Sequence, residues 1–116
     1  MLDIERIKFD IWNKMIINKT PYPVNVICST RTITFPKDED PIRLSSEIEQ
    51  IASIDGIPVY KEIYRSGNMP EYVVGVIYIV SAMVVNAYPD RDDLVYPYDV
   101  VRDDDGYIIG CRGFAQ

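Results

Sequence analysis

Histidine is absent from all 116 residues, and that absence removes more chemistry than any other feature of the composition. Ser-His-Asp and Cys-His nucleophilic catalysis are excluded, and so are histidine metal sites. Cysteine is scarce: Cys28 and Cys111 are the two thiols, too few for a structural zinc site. Each lies in a strand-like run and no export signal opens the sequence, so two buried, reduced thiols are expected in preference to a disulfide. No apolar run reaches the roughly 18 residues of a helical membrane span. The opening MLDIERIKFD carries acids too early for a signal peptide, and the expected location is the cytoplasm. Basic clusters are missing too. With 12 basic against 18 acidic residues and a formal charge of −6, the chain lacks the positive patch that nucleic acid or an anionic membrane requires. There is no Walker loop and no dinucleotide fingerprint; no cofactor is expected.

What is present suits one folded domain over residues 1–116. Apolar residues make up 47% and aromatics 11%, with nine tyrosines, enough for a single core. Ile4, Ile7, Ile11, Trp12 and Met15 have helical spacing, which predicts an amphipathic N-terminal helix over residues 1–15 appended to a core of residues 16–116. Pro23–Cys28 and Arg31–Phe35 predict a hairpin turning at Ser29-Thr30. Ile42–Ile54 is ambiguous: Leu44, Ile48 and Ile51 are spaced as on a helix, yet Asp55-Gly56 is a hairpin turn into the β-rich Ile57–Tyr64. A strand is favoured over at least its second half. After the connector Arg65–Glu71, Tyr72–Val80 predicts a strand buried on both faces, and Ser81–Tyr88 a short helix capped by Ser81 and stopped by Pro89. Leu94–Pro97 reads as irregular, and Asp99–Arg102 with Gly106–Cys111 as a last hairpin turning at Asp105-Gly106. The expected fold class is α+β: a mainly antiparallel sheet, one or two short helices and the N-terminal helix. The stripe of that helix, with so much tyrosine and isoleucine in a small domain, predicts a homo-oligomer, a dimer or a multiple of one.

The acidic residues invite a metal, but their spacing does not suit one. Asp103-Asp104-Asp105-Gly106 lacks the alternating ligands of a calcium loop, and Arg91 sits among Asp90, Asp92 and Asp93 as an ion-pair partner would. A metal-dependent hydrolase using Asp92 or Asp93 stands as an alternative only. Arg91 and Arg102 carry the sharper idea. An arginine fixed by a neighbouring carboxylate keeps donors that can fork onto a phosphate. The competing reading is a pair of structural salt bridges. Arg43 is a third candidate of the same kind.

Taken as a spaced set, Asn18-x-Thr20-Pro21, Arg43, Tyr78-Ile-Val-Ser81, Arg91-Asp92, Pro97, Val101-Arg102-Asp103, Gly106 and Gly110-Cys111 resemble a family of small bacteriophage and prophage proteins, from about residue 16 to the end. Many members carry histidine after the Thr-Pro, where this chain has Tyr22, so no role of that histidine carries over. In size, architecture and setting the chain is also similar to the anti-Thoeris sponge proteins, oligomers that bind a cyclic ADP-ribose isomer and sequester it without cleaving it. That resemblance implies a non-enzymatic anti-defence protein whose partner is a small anionic nucleotide. Its contacts would be Arg43, Tyr78, Ser81, Arg91, Asp92, Arg102 and Asp103. The alternative of another class is a phage structural or assembly accessory.

Overall fold

Val76–Ile79 is apolar at every position, and a strand with no polar side can only sit where both its faces are covered. The computed structural model describes residues 15–116 and places this strand inside the large sheet, paired on both edges. In chain order the elements are β1 (Met15–Asn18), β2 (Val24–Ile27), β3 (Thr32–Phe35), β4 (Leu44–Ile54), β5 (Ile57–Ser66), β6 (Val76–Ile79), α1 (Ala82–Ala87), β7 (Leu94–Arg102) and β8 (Ile108–Ala115). Six strands form one sheet in the order β1-β6-β7-β8-β2-β3, while β4 and β5 pair with each other as a separate ribbon.

Alternate residues of β6 feed two cores. Ile77 and Ile79 join Val24, Val26, Val95 and Cys111, with Ile16, Phe35 and Phe114 packed against them. Tyr78 joins Val80, Val84 and Leu94 in the other, backed by Ile42, Leu44 and Met69. Because the first core draws on all six strands, the sheet must curl round it. Phe35 and Phe114 meet with ring centroids 6.2 Å apart. The curl brings the ends of the two outermost strands together, and Asn18 on β1 donates its side-chain amide to the carbonyl of Phe35 on β3 at 3.2 Å. Lys19 and Asp38 reinforce the seam with a 2.9 Å ion pair.

The α+β expectation is overturned. Strands account for 53% and helix for 6% of the structure, with α1 the one short helix among the described residues; the helix expected over residues 1–15 lies outside them, apart from Met15, which opens β1. Nor is the large sheet mainly antiparallel. Three of its five strand pairs, β1/β6, β6/β7 and β2/β8, run parallel. Parallel neighbours need a crossover, and α1 supplies the one between β6 and β7. Leu94–Pro97, expected to be irregular, is the first half of β7, where Pro97 pairs with Phe114. Among the described residues no helix is long and apolar enough to cross a membrane.

Local expectations fare better. β2 and β3 form the expected antiparallel hairpin, and Ser81 caps α1 by accepting the Val84 amide. Leu44–Ile54 is strand throughout. Asp55 and Gly56 both have positive φ, 50° and 78°, the pair of left-handed residues that a two-residue hairpin turn demands. The β4–β5 ribbon is held at its base. Ser66 donates its amide to the Tyr88 hydroxyl at 2.8 Å, and Asn68 ties to Pro41 and Arg43. Beyond that base it projects as an arm. The Cα radius of gyration is 17.7 Å and the extents are 60 × 41 × 33 Å, against about 13 Å for a compact chain of some 100 residues.

Candidate functional site

Parallel β1 and β6 end side by side, and the loops leaving their carboxyl ends build the best-formed recess near the motif residues. The Lys19 amide donates to the Ile79 carbonyl at 2.9 Å, tying the two exits together. Asn18 organises the first exit. Its Oδ1 accepts the Thr20 amide at 2.9 Å and hydroxyl at 2.7 Å, and its Nδ2 donates to the Tyr22 carbonyl at 2.8 Å. Asn18 and Thr20 are both buried with these bonds satisfied, so Pro21 and Tyr22 are set rigidly. From the second exit comes Ser81. Together with Val24, Ile42, Val80, Val84 and Pro97 these loops enclose a cleft of about 120 Å³.

Tyr22, Val24 and Pro97 also form one wall of a larger groove of about 700 Å³ where β2, β7 and β8 meet. Val100, Ile108, Ile109 and Gly110 complete it, and no charged side chain lines it. Gly110 is required by close approach: a Cβ there would lie 2.8 Å from the Asn25 carbonyl oxygen. The one cation at the cleft is Lys19, and its charge is already answered. Besides the ion pair with Asp38, its Nζ donates to the Asp40 carbonyl at 3.0 Å. The Asp40 amide, then Lys19, hold the Asp38 carboxyl below its ordinary value.

The expected contact residues do not gather round one cavity. Tyr78 is buried in the second core, its hydroxyl donating to the Glu71 carbonyl at 3.3 Å. Arg91 grips Asp93 through Nε to Oδ1 and Nη2 to Oδ2, both 2.8 Å, and donates Nη2 to the Pro70 carbonyl. Hydrogen bonding to Asp93 raises the pKa of Arg91 further. Asp92 is exposed beside them and takes no part in that pair; its carbonyl accepts from Gln116. Arg43 pairs with Asp40 at the base of the arm, both well exposed. Arg102 closes β7 at the β7–β8 turn and donates Nη1 to the Gly106 carbonyl at 2.9 Å, while Asp103 accepts the amides of Asp105 and Tyr107. Of the seven residues, Ser81 alone lines the cleft.

Sequence reasoning passed over Lys19, Tyr22 and the apolar wall Val100, Ile108 and Ile109. The Asn18-x-Thr20-Pro21 pattern was the available signal for the first two. The last three gave none, because strand residues facing a groove and strand residues facing a core read alike. The thiols are free, as expected, but their burial differs: Cys111 is buried and Cys28 is exposed. Cys28 lies just past the end of β2, where the chain turns towards β3, so its strand-like neighbours give it no cover. Burial pushes the Cys111 thiol up. Among the described residues no three His, Cys, Asp or Glu side chains converge as a metal site.

Comparison with family models, with curated proteins and with solved structures finds no match to this chain.

Proposed function

We propose that the protein is a non-catalytic phage or prophage assembly accessory, acting in the host cytoplasm through protein–protein contacts. One observation carries this reading: two apolar surfaces, the β4–β5 arm and the β2/β7/β8 groove, lie uncovered by the described residues. Monomeric soluble proteins seldom leave such patches bare, and large ones mark interaction sites. The charge distribution agrees. A diphosphate needs forked, uncommitted donors, whereas Arg91 is engaged by Asp93, Arg43 by Asp40 and Lys19 by Asp38.

Deleting the gene from the phage that carries it, with electron microscopy of the particles, tests the reading. Malformed or fewer particles are expected even in hosts without immune signalling. Normal particles, with growth lost only where a cyclic nucleotide signal is made, would replace it with sequestration.

A specific observation favours sequestration as the second reading. Arg102 is exposed, and its Nε and Nη2 make no hydrogen bond among the described residues. Tyr107, 71% exposed, follows on the same turn. An arginine and an aromatic together suit a phosphate and a base. Under this reading Arg102→Ala weakens binding of a cyclic ADP-ribose isomer by roughly 2–4 kcal/mol with the melting temperature unchanged. Calorimetry that finds the ligand bound equally well by the variant removes Arg102 from the site; recovery of altered ligand would indicate a hydrolase.

A further inference from the structure

The arm is built against its own interest as a free element. An isolated two-stranded ribbon is marginal in water, yet this one has strands of 11 and 10 residues, about 35 Å long at strand rise. Its Ile48, Ile51, Ile54, Ile57, Tyr60 and Tyr64 are 71%, 57%, 63%, 65%, 59% and 37% exposed. At about 200 Å² per large side chain those fractions amount to roughly 700 Å². A standard interface buries about 800 Å² per partner, so the arm alone comes close to supplying one.

Its faces are arranged to be covered on both sides. Cross-strand partners share a face, and the register shift between Gln50 and Ala52 reverses the facing of the residues beyond it. Ile54 and Ile57 therefore stand opposite the face that carries Ile48 and Tyr60. A ribbon with one apolar face could fold back on its own body; one with two needs cover that the described residues do not give.

The groove is the matching half. Tyr22, Val100, Ile108 and Ile109 are 65%, 43%, 58% and 45% exposed, the lining is uncharged, and no arm residue of the same chain lines it. We infer that a second copy of this chain is the arm's partner: the distal arm, around Ile54 and Ile57, seats in the β2/β7/β8 groove of its neighbour, and the neighbour's arm returns the contact. Reciprocal exchange about a two-fold axis buries both surfaces twice and closes the assembly. This inference rests on the assembly reading and names the contact through which it works.

Sedimentation velocity on the full chain over a micromolar concentration series tests it, with three variants. Ile54→Glu with Ile57→Lys changes the arm, and Ile109→Glu changes the groove. Ile54→Thr with Ile57→Thr is a milder arm variant should the charged pair misfold, and circular dichroism and thermal melting confirm folding in each. A wild-type dimer is expected, with each variant raising the dissociation constant roughly 30-fold or more, the loss for a central contact. Mixing the arm variant with the groove variant is the decisive step. Each keeps the half the other lacks, so a heterodimer joined by one arm–groove contact should form. A monomeric wild type overturns the inference, as does a groove variant that dimerises normally or a mixture that forms no heterodimer. Malformed particles on gene deletion together with a monomeric wild type would leave the assembly reading standing and the self-partner refuted. A dimer that complements as described, with normal particles, would do the reverse.

Discussion

Arg91 and Asp93, two residues apart, face each other with parallel 2.8 Å hydrogen bonds, and the Asp93 side chain is only 2% exposed while that of Arg91 is 22% exposed. The carboxylate is thus almost out of water, and its guanidinium partner is what makes that tolerable. Removing one member of such a pair strands the other. Arg91→Ala should lower stability by about 3 kcal/mol, or roughly 15 °C in melting temperature for a domain of this size. Arg91→Lys should recover only part, since an ammonium cannot form the fork. Thermal melting of both variants checks this, and an Arg91→Ala protein melting with the wild type would show the pair to be idle.

Gly110 tests the packing of β8 on β2. A Cβ there would stand 2.8 Å from the Asn25 carbonyl oxygen and 2.9 Å from Ile27 Cδ1. The strands touch in register at a single pair, Val26 and Cys111, and the Asn25 side-chain amide donates to the Ile109 carbonyl at 3.2 Å beside it, so the added methyl presses on the joint itself. Gly110→Ala should cost about 1–3 kcal/mol. Adding Ile27→Ala relieves the side-chain clash but leaves the carbonyl, so denaturant melts should show no full recovery.

The two thiols should differ in reactivity. Cys28 is exposed, whereas burial both shields Cys111 and raises its pKa, which disfavours the reactive thiolate. Iodoacetamide on the native protein should add one label, placed by mass spectrometry on Cys28. In denaturant it should add two.

Acid should loosen the seam between β1 and β3. The Asp38 carboxyl is held below 3.8 in the folded chain by the Asp40 amide and Lys19. A depressed folded value means its contribution is whole above 3.8 and is lost as pH falls through the lower, folded value. Asp38→Asn should therefore cost up to about 1 kcal/mol near neutrality, and its melting curve should converge on the wild type's as pH drops below 3.8. A difference that persists in acid would assign the effect to something other than this charge.

What the sequence disclosed was local. The Asp55-Gly56 turn, the Ser81 cap and the β2–β3 hairpin each depend on residues a few positions apart, and turn chemistry is written at that range. The pairing of Met15 with Val76 joins residues about half the chain apart, and no short-range pattern encodes it; the antiparallel expectation failed there. Ile48 and Ile51 looked helical because the arm carries apolar residues on both faces, which blurs the period of two that marks a strand. Arg91 was legible as an ion-paired residue, but not which acid it would hold, and Arg102, expected beside Asp103, holds the Gly106 carbonyl instead. Arg91 stands among three aspartates, and only the fold, by turning Asp93 inward at the start of β7, decides among them.

The amide of Asn18 on the Phe35 carbonyl has a consequence for how molecules of this kind coexist in a crowded cell. Outermost strands normally advertise unpaired main-chain groups, an invitation to add strands without limit. Here the ends of β1 and β3 are turned towards each other and latched by the Asn18 amide and the Lys19–Asp38 pair, so the large sheet turns those ends of its sticky margin inward. Growth by indiscriminate stacking is discouraged, while the arm remains outstretched. A short seam thereby separates contacts that come to a natural stop from those that would run on into fibres.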